Sequence, residues 1–276
     1  MIRIRMKEEG VATAVGAILS ILIVVLLLSV FVTSYVPSEM TVYEENYTSN
    51  LLNSVMQLDS YVSILYVSGQ VGETVTVPFE LESGSIPFFS SPTVGTVSIS
   101  GGKINSPFFI KISNATENLM SGGYIYVSSN NRYYVDQSYY YAFSSVIGSQ
   151  QIKGTTTASV VESNLIKVGN TGNSISLIIN LVKLEAGNMS VTSPGPVAVS
   201  LQTISVSRYA LAGNVTVTVL SQLGYSIYSA IQEELSPYNI HLSYSNITNG
   251  MVIGISSQEN LQFSVTQLDL SVSIVS

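Results

Sequence analysis

Residues 11–36, VATAVGAILSILIVVLLLSVFVTSYV, run for twenty-six residues without a charged side chain and are closed by Pro37. As a helix rising about 1.5 Å per residue, such a run is about 39 Å long, against roughly 30 Å of hydrocarbon in a bilayer, so it can span with some tilt. Everything after it therefore reads as a body held at a membrane or on a shaft. Arg3, Arg5 and Lys7 precede the run, and basic residues on that side predict an N-inside orientation with the bulk of the chain outside. A cleaved secretory signal fits poorly, because its apolar region is only about 7–15 residues and SYVPSEM offers no small-x-small cleavage site. A signal anchor and a prepilin-type signal with a retained apolar helix both remain open.

Only 10% of the 276 residues are charged, against a usual share of about 25%, so the surface must be solvated by Ser, Thr, Asn, Gln and Tyr. The net charge of -7 comes without a basic cluster in the body, which argues against nucleic acid as a partner. With no cysteine and one histidine, His241, neither a thiolate nor a histidine-based metal site is available, and no cofactor is expected. Five N-x-S/T sequons, at Asn46, Asn114, Asn188, Asn214 and Asn246, suit an exported, glycosylated chain.

KEEG at 7–10 followed directly by VATAVGAILS at 11–20 resembles the class III signal of archaeal type IV pilins and archaellins. The resemblance implies that a prepilin peptidase cuts between Gly10 and Val11, and that pilus-assembly machinery later packs the apolar helix against copies of itself. Val15 stands where the bacterial branch has Glu, and Glu8 and Glu9 stand where a basic residue is commoner. Segments 86–100 and 122–141 are similar to a family of archaeal pilin-like membrane proteins with a β-rich exterior, which implies no catalytic residues.

After Pro37, Met40, Tyr43, Tyr47, Leu51, Val55, Leu58, Val62 and Leu65 recur at steps of three and four, predicting an amphipathic helix. Ser38 is a candidate cap, Gly69 a candidate end, and Pro37 a break or kink between two halves. The apolar stripe could pack on the chain's own body or be shared with neighbouring subunits.

From Thr74 the pattern changes to short runs rich in Val, Ile, Thr, Ser and Tyr between Gly, Pro and Asn, which reads as nearly all β. Expected strands include 75–81, 95–100, 108–113, 124–129, 158–163, 174–184, 196–206, 214–220, 251–256 and 261–275, and a single strand over 138–148. One helix is expected over 221–235, where Leu223, Ile227, Ile231 and Leu235 fall four apart before Pro237. The fold expected is mainly β, with a long N-terminal transmembrane and amphipathic α-helix and a β-sandwich-like exterior body. Its parts are a leader (1–10), a transmembrane or filament-core helix (11–36), a helical stalk (37–69), a β-rich extracellular domain (70–205) and a second αβ portion (206–276).

Seven of seventeen tyrosines cluster at Tyr124, Tyr126, Tyr133, Tyr134, Tyr139, Tyr140 and Tyr141. Of these, 133, 134 and 139–141 are the candidate contact surface, for glycan or another subunit, with Arg132 placed to stack on a ring. Alternate tyrosines facing a core is the simpler explanation. Asp59, Asp136 and Asp269 are isolated, Glu80 and Glu82 alternate as solvent-facing strand residues do, and GGK at 101–103 lacks phosphate-loop spacing. No catalytic activity is expected. Two functions follow: a pilin-like surface subunit assembled through its N-terminal helix, or a singly anchored extracellular binding protein that does not polymerise.

Overall fold

The computed structural model describes residues 2–102, 108–152, 154–170, 174–238, 240–256 and 261–275, with side chains from Thr13 onward save those of Ile152 and Asn170. Helix α1 (Ile2–Val30), a π-helical turn (Phe31–Tyr35) and helix α2 (Val36–Ser68) form one unbroken rod. Pro37, where a break or a kink is expected, does not break the rod. Pro37 occupies the first turn of α2, and the π turn before it, closed by the Val36 N–H on the Phe31 carbonyl, takes up the missing donor and the crowding of the ring. Ser38 makes no cap. Gly69 does end the helix, at φ 60 with its N–H on the Leu65 carbonyl. Gly69→Ala places a Cβ in this left-handed conformation and is expected to destabilise the body by about 1 kcal/mol, measured by denaturant unfolding in detergent.

The strands are β1 (Thr74–Glu80), β2 (Thr96–Gly101), β3 (Phe109–Ser113), β4 (Asn118–Ser128), β5 (Gln137–Ala142), β6 (Ser145–Ile152), β7 (Thr155–Ser163), β8 (Ile166–Asn170), β9 (Ile175–Glu185), β10 (Met189–Thr192), β11 (Pro196–Leu211), β12 (Val215–Leu220), β13 (Leu242–Ile247), β14 (Gly250–Ile255) and β15 (Leu261–Val275). Helix α3 (Gly224–Leu235) crosses between β12 and β13, as the four-residue spacing predicts. The body is mainly β. One sheet has the order β1-β11-β15-β9-β8, antiparallel except for β15 against β9. The other runs β13-β14-β12-β3-β4-β5-β6-β7, with β2 and β10 branching from β4. Strand β4 can serve both branches because Gly123, at φ 101, turns it where an added Cβ would sit 2.9 Å from the Leu184 Cβ.

Alternating strand residues of the two sheets meet in two cores. The proximal core lies along α2, which approaches β1, β5 and β6: Tyr47, Leu51, Val55, Leu58, Val62 and Leu65 share one cluster with Val77 and Phe79 of β1, Tyr139 and Tyr141 of β5, Ile125 and Val127 of β4, and Val199 and Leu201 of β11. The stripe thus packs within the chain's own body, and Glu44, not Tyr43, fills its buried position. The distal core, beyond the end of α2, joins β3, β12 and β14 to α3 and the first half of β15. Strands β9, β11 and β15 run through both cores. The expected division at 205/206 falls inside β11, where its register against β15 shifts between Thr203 and Ser205.

The expected strand over 138–148 is instead the hairpin β5–β6, turning at Phe143 and Ser144, both at positive φ (56 and 52). Such two-residue turns ordinarily carry Asn-Gly. Here tertiary contacts enforce the turn: the Phe143 ring is buried in the distal core, and the Ser144 hydroxyl lies between the Tyr66 hydroxyl (3.1 Å) and the Asn180 carbonyl (3.0 Å).

Candidate functional site

The expected processing position between Gly10 and Val11 lies outside the described side chains. From residue 13 to residue 30 every position of α1 is exposed, including Ile18, Leu22, Leu26 and Val30, and none of the body covers it. The segment is about 27 Å long. It is the one helix among the described residues long and apolar enough to cross a membrane. Within it the Ser20 hydroxyl turns back to donate to the Gly16 carbonyl (2.9 Å), and just beyond it Thr33 donates to that of Ser29 (2.7 Å). Just past its C-terminal end Phe31 stacks on Tyr35 (centroids 4.8 Å apart) and meets Phe89 edge-on (5.0 Å).

Above this collar the rod is fastened to the body by Glu44, which is fully buried. Its carboxylate accepts the backbone N–H groups of Tyr133 (2.6 Å), Tyr134 (2.7 Å) and Arg132 (3.0 Å), and the Thr93 hydroxyl. Successive N–H groups converging on one anion form a nest. Asn131 completes the clamp by donating to the Thr48 hydroxyl and the Val135 carbonyl (2.9 Å each). The loop 129–136 is thereby tied to the helix.

About four turns on from Glu44, Asp59 is 3% exposed and accepts from the Asn164 side chain through one oxygen, while its other oxygen has no partner. Burial, then the nearby charge of Glu162, pushes its pKa up to about 7 against the opposing Asn164 bond and Lys167. Burial likewise raises Tyr66 and Tyr141 beside it, so both stay neutral.

The tyrosine cluster does not form one surface. Tyr139 and Tyr141 alternate into the proximal core, where burial pushes the Tyr139 hydroxyl up to about 12, and neither can meet a partner. Tyr140 turns the other way into an aromatic group with Phe108 (5.1 Å) and Tyr126 (4.8 Å). Only Tyr133, of the five, is exposed, and Tyr134 is half-buried.

Among the sequons, Asn46, Asn188, Asn214 and Asn246 are exposed. Asn114 differs: its Nδ2, the atom a glycan would join, donates to the Ala212 carbonyl (3.1 Å), and its Oδ1 holds the turn at Thr116 and Glu117. His241 is exposed just ahead of β13. Glu80, Glu82 and Asp136 are exposed, and Asp269 accepts from Ser205 (2.8 Å) and Gln267 (3.0 Å). A groove between β7 and α3 is lined by Glu162, Glu233 and Glu234, but no three metal-capable side chains converge among the described residues.

Glu44 and Asp59 stood in plain view as charged residues within or beside an apolar stripe, at Met40 + 4 and Val55 + 4. An acid at such a position is the signal for a buried clamp. Comparison with known protein families, curated proteins and solved structures finds no match to this chain.

Proposed function

We propose that the chain is an archaeal pilin-like cell-surface subunit, held N-inside by α1, with its β body outside and its helix available to pack against copies of itself in a filament. The reading is carried by the exposure of residues 13–30 on every side. A helix apolar all round has no stable place in water and needs apolar surroundings on all faces, which lipid supplies first and neighbouring helices afterwards. The body leaves this segment bare and fixes the remainder of the rod, so exchanging lipid for helices requires no rearrangement of the β domain. The mechanism is mechanical, and no residue is assigned a catalytic role.

Processing after Gly10 by a prepilin peptidase is part of this reading. N-terminal sequencing of protein from cells is expected to begin at Val11, and shearing is expected to release it in filaments. A start at Met1 together with retention wholly in membranes would instead favour the singly anchored binding protein.

A further inference from the structure

Between β1 and β2 the chain makes a narrow hairpin, bridged at Glu82 with Val94 and at Ile86 with Ser90. It lies against the rod. At its base Gly84 faces the Tyr43 ring so closely that an added Cβ would stand 2.8 Å from it, and Thr93 bonds Glu44. At its tip Phe89 packs on Phe31. Tyr43 and Phe31 are twelve residues apart in the helix, so the hairpin descends about 18 Å along the rod and ends at the level where the bare apolar surface begins.

The tip is built at a disadvantage to the fold. The Ile86 carbonyl accepts from the N–H groups of Phe89 (3.0 Å) and Ser90 (2.9 Å), with Pro87 second and Phe88 third at φ 69. This is a type II arrangement, whose third place favours glycine. Phe88 nevertheless stands there fully exposed, at 105% of its reference area, and residues 83–93 carry no charge.

We propose that the hairpin tip is a second membrane contact: Phe88 enters the boundary between headgroups and acyl chains of the leaflet from which the rod emerges. Phe31, Tyr35 and Phe89 then form the aromatic belt usual at that depth. The inference rests on the membrane-spanning reading of α1. Lipid is the occupant because Phe88 stands at the axial level where the bare surface ends, and shares whatever solvates that surface.

The chain has no tryptophan, so a single Trp reports alone. Full-length Phe88→Trp, Val24→Trp and Tyr244→Trp are reconstituted at high dilution in phosphatidylcholine vesicles, with or without bromine on the acyl chains near the headgroup. Phe88→Trp is expected to emit to the blue of Tyr244→Trp and to lose about half its emission to brominated lipid, while Tyr244→Trp loses none. Deep bromine is expected to quench Val24→Trp. Quenching at position 24 with none at 88 overturns the tip contact and leaves the spanning reading intact. Blue emission at 88 without quenching means that protein covers the ring, and also overturns it. No quenching at 24 removes the spanning reading and the tip contact together. An unchanged thermal midpoint for Phe88→Trp confirms that the reporter has not disturbed the fold.

Discussion

Glu44→Ala is expected to lower the unfolding free energy of the body by about 3–5 kcal/mol, because it removes the only charge to which three successive backbone N–H groups and a hydroxyl are directed. Hydrogen bonds to a charged group contribute about 1.5–3 kcal/mol each, but they do not sum here, since Arg132 and Tyr133 are exposed and water can reach the freed loop. Glu44→Gln keeps one acceptor and turns an amide N–H toward donors, so it should fall between the two. Denaturant unfolding in detergent micelles measures the loss. A second readout is local: Arg132 lies in the clamped loop, and tryptic cleavage after it should quicken in Glu44→Ala under native conditions. Unchanged cleavage and stability would show that the loop is held by other contacts.

Asp59 should make the body more stable in mild acid than in mild base. Its folded-state pKa, pushed up to about 7, lies above the ordinary value of 3.8. Between those two values the unfolded chain releases a proton that the folded chain keeps. Stability contributed by the protonated group is therefore complete below about pH 4 and falls as pH rises to about 7, by up to about 4 kcal/mol, after which it is level. Asp59→Asn removes the titration, keeps an acceptor for Asn164, and is expected to flatten the profile and raise the unfolding midpoint at pH 8. Urea titrations from pH 4 to 8 on both proteins test this. An equal slope in the variant would assign the dependence to other groups.

Periodicity made the larger architecture legible: the helix period of 40–65, the alternation of most strands and the four-residue spacing of α3 each match what the backbone does. These patterns come from burial of one face, which sequence records directly. What escaped was decided by contacts distant in the chain. Phe143-Ser144 lacks any local reason to turn, and does so because Phe143 has a core to enter and Ser144 has Tyr66 and Asn180 to meet. At Pro37, where a break or a kink is expected, the helix continues through a local remedy, one widened turn. Alternation of the tyrosine run into a core was the simpler expectation, and it holds, but alternation does not say which side of a strand is wet, so that Tyr139 and Tyr141 are the ones on the dry side was not legible. Glu44 and Asp59 were visible as anomalies in the helical stripe, but their partners, 49 and 105 residues away, were not.

The fastening of α2 along its whole length sets how the molecule carries load. Tension on the rod is parallel to the seam from Met40 to Leu65, so these side chains are loaded in shear and must yield together. A helix joined only at one end would peel turn by turn under a far smaller force. From the seam the load passes through β1 into β11 and on to β15, the last two paired at thirteen positions that reach into both cores. A pull at the far end of the body therefore reaches the rod through continuous strands and crosses no flexible joint.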